Sequence, residues 1–121
     1  MKKLTFSLLV GFTLTGSWAH AARVLEILER SHELKLANVT LPRTQASAIG
    51  YRQCGTCTYA YMHVSDATTW FVDGHDVSLE ELGRVAAQIR LTSGAAERTL
   101  VVLHYDPHTE VATRIRLEQP Q

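Results

Sequence analysis

The chain has 121 residues, 45% of them hydrophobic, and twelve basic residues balance twelve acidic ones. That balance gives no electrostatic reason to expect nucleic acid or an anionic membrane surface as partner. No low-complexity tract, long charge run or strong internal repeat is present, which leaves an ordinary folded chain with a modest core.

The N-terminus speaks to compartment. Lys2 and Lys3 precede an apolar run from Leu4 to Leu14, and Ala19-His20-Ala21 follows as an A-x-A cleavage signature. This is the pattern of a secretory signal peptide over residues 1–21. The run falls short of the roughly 20 residues a membrane span needs. The expectation is therefore a periplasmic or secreted protein with no stable membrane insertion after cleavage. Residues 22–121 would form one small domain. Loss of Lys2 and Lys3 leaves ten basic residues against twelve acidic ones, a net charge of about −2.

Residues 24–28 are apolar enough for a short strand or a helical turn, with polar residues 29–33 as a connection. Leu34-Lys35-Leu36 and Val39-Thr40-Leu41 alternate apolar with polar, the period of a half-buried strand. Asn38 allows a bend between them, and Pro42 stops the strand or places it at an edge. After a loop, Ile49, Tyr51 and Gln53 share one face of a further strand. In "TYAYMHV", Tyr59, Tyr61 and His63 point one way and Ala60, Met62 and Val64 the other. Both rows are partly apolar, so which one is buried stays open.

"TTWFVDGHDV" is a strand entering a tight turn at Asp73-Gly74, a pair suited to the positive φ angles of hairpin turns. Trp70 and Phe71 face opposite sides, and Phe71 is assigned to the core. Ser78 and Glu81 then make a capping box, and Val77 and Leu82 have the spacing of a hydrophobic staple. Leu79, Leu82, Val85, Ala86 and Ile89 recur at helical spacing, predicting a helix at about 79–91 that ends near Ser93-Gly94. Leu100 to Tyr105 is a strand, Asp106-Pro107-His108-Thr109 a turn, and Val111, Thr113, Ile115 and Leu117 the inner row of a last strand. The sum is an α+β fold. A small antiparallel sheet of five or six strands carries one helix, in the chain order β-β-β-β-α-β-β.

Cys54 and Cys57, the only cysteines, fall between two strand-forming runs, in or beside a hairpin turn. Their spacing resembles the thioredoxin-type motif over four residues. That motif activates its thiol at a helix N-terminus, and the alternating residues after Cys57 do not start a helix. Structural zinc wants four ligands, and only one cysteine pair exists. The histidines are scattered: His63 on a strand, His75 at a turn, His104 and His108 near the last turn. Haem attachment is excluded because Thr58, not histidine, follows Cys57. Two cysteines in an exported chain of this length pair as a structural disulfide.

No nucleophile, phosphate-loop or metalloprotease motif is present. The sequence assigns no catalytic residue, cofactor or metal. The leading expectation is a non-enzymatic binding or accessory module of the bacterial envelope. It would be stapled by Cys54–Cys57 and contact another envelope or extracytoplasmic protein through Tyr59, Tyr61 and His63. The alternatives are a periplasmic thiol–disulfide oxidoreductase or redox-responsive protein using Cys54 and Cys57, and a periplasmic copper- or zinc-binding protein.

Overall fold

The computed structural model describes residues 29–121. The leader expected at 1–21 and the short strand or helical turn expected at 24–28 lie outside those residues. The described elements are β1 (Arg30–Lys35), a 3-10 turn (Leu36–Asn38), β2 (Val39–Thr40), β3 (Ala48–Tyr51), β4 (Ala60–His63), β5 (Thr69–Val72) and β6 (His75–Val77). Then come α1 (Leu79–Leu91), α2 (Ala95–Arg98), β7 (Leu100–Asp106) and β8 (Val111–Glu118). The class is α+β with one main helix, as expected.

The sheet is larger than expected, with eight strands among the described residues in place of five or six. The main path runs β1-β7-β8-β4-β3-β2, while β5 lies along the same edge of β8 as β4 and carries β6. Nor is the sheet wholly antiparallel. β8 pairs in parallel with β4 and with β5. The reason is α1. Short turns between consecutive strands enforce antiparallel pairing, but a helix lets the chain cross the sheet and return alongside an earlier strand in the same direction.

Residues 29–33, expected as a connection, belong mostly to β1, which pairs with β7 from Arg30↔Tyr105 to Lys35↔Leu100. Its polarity suits an outer strand, and only Leu34 in it is fully buried. Next to it, Asn38 sits in the 3-10 turn that bends the chain into β2.

The helix matches its sequence signals. The Ser78 hydroxyl accepts from the Glu81 N–H at 3.1 Å, and α1 buries Leu82, Ala86 and Ile89 against the sheet. Under them lie Ile49, Met62, Leu103, Ile115 and Leu117. The chain turns at Gly94, φ 76°, into α2, a single short helix the sequence did not announce.

Two assignments are corrected. Trp70, not Phe71, is the core residue of β5, at 3% exposure. The register pairs Trp70 with Ile115 and Phe71 with Arg116, so the tryptophan shares the helix-covered face. Its indole N–H donates to the Gln45 side-chain oxygen, which satisfies the one polar atom of the ring. In β8, Val111 and Thr113 do not continue the row of Ile115 and Leu117. A bulge passes from His104↔Arg114 to Tyr105↔Ala112, leaving Thr113 without a partner in β7. One extra residue exchanges the faces, so Ala112 is buried instead.

Candidate functional site

β3 and β4 form a hairpin whose last pair is Tyr51↔Ala60. Residues 52–59 make the loop. At its base the Arg52 N–H donates to the Asn38 carbonyl at 3.0 Å, and Arg52 Nε donates to Asn38 Oδ1 at 3.1 Å. The loop is thereby tied to the 3-10 turn. At its tip the Cys57 N–H donates to the Cys54 carbonyl, and the two sulfurs are bonded, with the Cα atoms 5.0 Å apart. The disulfide expected from composition is present, and it closes the hairpin loop on itself. No helix follows Cys57: the next element is β4.

β4 resolves the question of faces. Met62 and Val64 are buried in the core, while Tyr59, Tyr61 and His63 face outward. Tyr61 is 73% exposed and Tyr59 37%. Neither ring hangs free. The Arg52 guanidinium lies 4.9 Å over the Tyr59 ring. Tyr61 stands opposite Gly50 in the register, and a Cβ placed on Gly50 would meet Tyr61 Cε1 at 3.1 Å. The missing side chain on Gly50 lets the tyrosine ring rest against the neighbouring strand. An exposed ring held in place loses little conformational entropy when a partner covers it.

The same hairpin borders three depressions. A cleft of about 740 Å³ is flanked by Cys54, Arg52, Lys35 and Arg98, with Glu33 and Glu97 opposing them in charge. A groove of about 820 Å³ lies between α1 and residues 39–45, with Tyr59 at its margin. A slot of about 420 Å³ runs between β4 and the β7–β8 turn, lined by Tyr61, His63, Tyr51, Tyr105, His32 and Glu110 among others. In that slot the His32 ring stacks on both Tyr51 and Tyr105, at centroid distances of 5.3 and 5.0 Å. Burial holds the His32 pKa below its ordinary value. The Tyr51 phenol is pushed up, first by burial and then by the nearby Tyr105 and Glu110.

The face of the sheet turned away from α1 also holds a polar cluster that was not legible in the sequence. Glu29 accepts from Arg114 Nη2 at 2.9 Å and from the Thr113 hydroxyl at 2.7 Å. His104 is buried beside them, with Nδ1 3.3 Å from Glu29 and Nε2 accepting from Arg116 Nε at 3.1 Å. An arginine can only donate, so Nε2 carries no proton and Nδ1–H points at the carboxylate. His104 is a neutral imidazole, its pKa lowered first by burial and then by Arg114. For Glu29 burial raises the pKa, but the Thr113 and Arg114 contacts outweigh it and the net direction is down. The basic residues Arg114 and Arg116, alternating opposite His104 in a hairpin, were the available sign.

Among the described residues no three His, Cys, Asp or Glu side chains come together in a metal-holding group. Among them too, no helix is long and apolar enough to cross a membrane. Compared with family models, curated proteins and solved structures, the chain matches none.

Proposed function

We propose that this chain is a small exported binding module of the bacterial envelope, non-enzymatic, with the outward face of the β3–β4 hairpin as its recognition surface. Tyr59, Tyr61 and His63 carry the contact. The observation behind this reading is Tyr61, a large ring 73% exposed yet seated against Gly50, next to a loop closed by a disulfide. Tyrosine is over-represented at the energetic centres of interfaces because its ring brings area and its hydroxyl brings direction. Covering such a ring is worth roughly 2 kcal/mol from apolar area alone. The leader pattern at 1–21 supports export, and the partner class is another extracytoplasmic protein. The test is a pull-down from an envelope fraction with wild type and a Tyr59→Ala/Tyr61→Ala double variant, compared at equal folded concentration. A partner retained equally by both would sink the assignment.

A second reading is favoured by one feature. Cys54 is exposed and borders a cleft carrying Lys35, Arg52 and Arg98 against Glu33 and Glu97, and its sulfur lies 3.6 Å from the Thr56 hydroxyl. Nearby cations and a hydroxyl donor stabilise a thiolate. In thiol–disulfide exchange, a substrate thiolate would attack one sulfur of the pair and expel the other as thiolate. The second substrate thiol would then resolve the mixed disulfide, giving an oxidised substrate and a reduced Cys54/Cys57 pair. A reduction potential below about −300 mV would mark the bond as structural and remove this reading.

A further inference from the structure

The slot beside β4 exists because the sheet opens there. β4 meets β8 at one register pair only, His63↔Val111. The residues before Val111 belong to the β7–β8 turn, so among the described residues no strand lies against Ala60 to Met62 on that side. The gap leads inward from the exposed Tyr61 and His63 to the half-buried rings of Tyr51 and Tyr105 and to buried Met62. Its volume of about 420 Å³ lies within the ordinary range of small-ligand sites.

Its chemistry is one-sided. Among the described residues lining it, Glu110 is the one carboxylate and there is no lysine or arginine, while burial lowers the pKa of His32. Tyr51, Tyr61 and Tyr105 line it beside Met62, His63 and Thr109, and tyrosines attract a cation through the ring faces and accept hydrogen bonds through the oxygens. Glu110 also stands where its backbone does not favour it. Its φ is 56°, in the left-handed region, and its N–H closes the turn on the Asp106 carbonyl at 2.8 Å. Glycine or asparagine would sit there with less strain. Asp73 in the other tight turn has a similar angle, so the angle alone does not set Glu110 apart; its place in the lining of the slot does.

From the slot's shape, its tyrosines and the placement of Glu110, we infer that it binds an alkylammonium or guanidinium group. Glu110 is the counter-charge, the Tyr51 and Tyr105 hydroxyls are acceptors, and the Tyr61 ring is the rim. This deepens the proposed recognition surface and rests on it, because Tyr61 and His63 belong to both. The cation has two sources, a free small amine or guanidine, or a lysine or arginine side chain of the partner protein.

The test uses the disulfide-bonded chain without its leader. It is titrated with n-butylammonium, ethylguanidinium and capped single lysine and arginine, while tyrosine and histidine ring resonances are followed by NMR. Saturable shifts at Tyr61, His63 and Tyr105 are expected. Glu110→Gln should weaken binding about tenfold, the loss expected when a charged hydrogen-bond partner is neutralised. Tyr61→Leu should weaken it about threefold or more through loss of the ring face. The uncharged n-pentanol should bind at least about tenfold more weakly than n-butylammonium. Glu110→Asn, which tolerates the backbone angle, serves as a second charge-removing variant. Tighter binding of the capped residues supports a protein side chain as the source, and tighter binding of the free cations supports a small molecule. Equal binding of n-pentanol, indifference to Glu110→Gln, or no saturation with any cation overturns the proposal. If the titration fails while the Tyr59/Tyr61 variant still loses its partner, the slot assignment falls and the surface assignment stands.

Discussion

Two hairpins of this sheet reach their turns by different means. β5 and β6 are joined by Asp73 and Gly74 alone, with φ of 48° and 83° at the two positions. Those angles match the twist of the flanking strands, so backbone preference sets the turn. β3 and β4 are joined by eight residues, closed by Cys54–Cys57 and anchored through Arg52 to Asn38. Covalent and side-chain bonds set that turn. The first hairpin buries Trp70 beneath α1, whereas the second turns Tyr61 outward. Both feed the core, the second through Ile49 and Met62, but only the second also presents a large exposed ring. The wide loop is where side chains are free to meet something else.

This contrast can be broken in order of expected effect. Trp70→Ala removes the largest ring of the short hairpin from a packed site and should lower stability by about 3–5 kcal/mol in urea unfolding. A loss under about 1 kcal/mol would mean that β5 is not built into the core. Cys54→Ser, or reduction of the wild type, should cost about 2 kcal/mol and leave the far-ultraviolet circular dichroism unchanged. Identical melts of oxidised and reduced protein would contradict the role given to the bond. Gly74→Ala forces a side chain into the left-handed region and should cost about 1 kcal/mol, whereas Gly55→Ala, with open space around it and no positive φ, should cost almost nothing. Equal effects would erase the difference between the two turns.

A smaller effect is expected from pH. His32 and His104 have native pKa values below their ordinary 6.5. On acidification the unfolded chain takes up these protons first. Stability is therefore fully present above about pH 6.5, falls as pH drops toward the lowered native values, and is flat below them as far as these groups are concerned. Urea midpoints across this window for wild type and a His104→Gln variant test the sign: the variant should show a shallower slope. Tyr61→Ala is expected to have the least effect on stability, within about 0.5 kcal/mol, because an exposed residue loses little on truncation.

The legible part of the fold was the part governed by local rules. Ser78 with Glu81, the apolar spacing from Leu79 to Ile89, and Asp73-Gly74 each carry their structure in a few adjacent residues. The sheet's wider organisation was not legible in this way. Nothing in Arg30 to Lys35 marks a strand apart from Leu34, and the segment is ordered by pairing with β7, some 70 residues away. The parallel return of β8 beside β5 depends on where α1 crosses, which periodicity does not state. The bulge at Thr113 reversed one residue row, and the register with β8 decided between Trp70 and Phe71. At the hairpin, the sequence narrowed the surface to two rows of similar polarity, and only the placement of Met62 and Val64 under α1 and its neighbours chose between them. The slot could not be read at all, because Glu110 and Tyr51 meet only through the fold.

The claim that the β3–β4 hairpin is the recognition surface is tested most directly by a photo-crosslinking amino acid placed singly at position 61 and, as a control, at position 75 of the other hairpin. Both sites are exposed strand positions. Illumination in cells exporting the full chain should give a discrete adduct from position 61 and none from position 75. Adducts of equal yield from both sites, or none from position 61, would contradict the account.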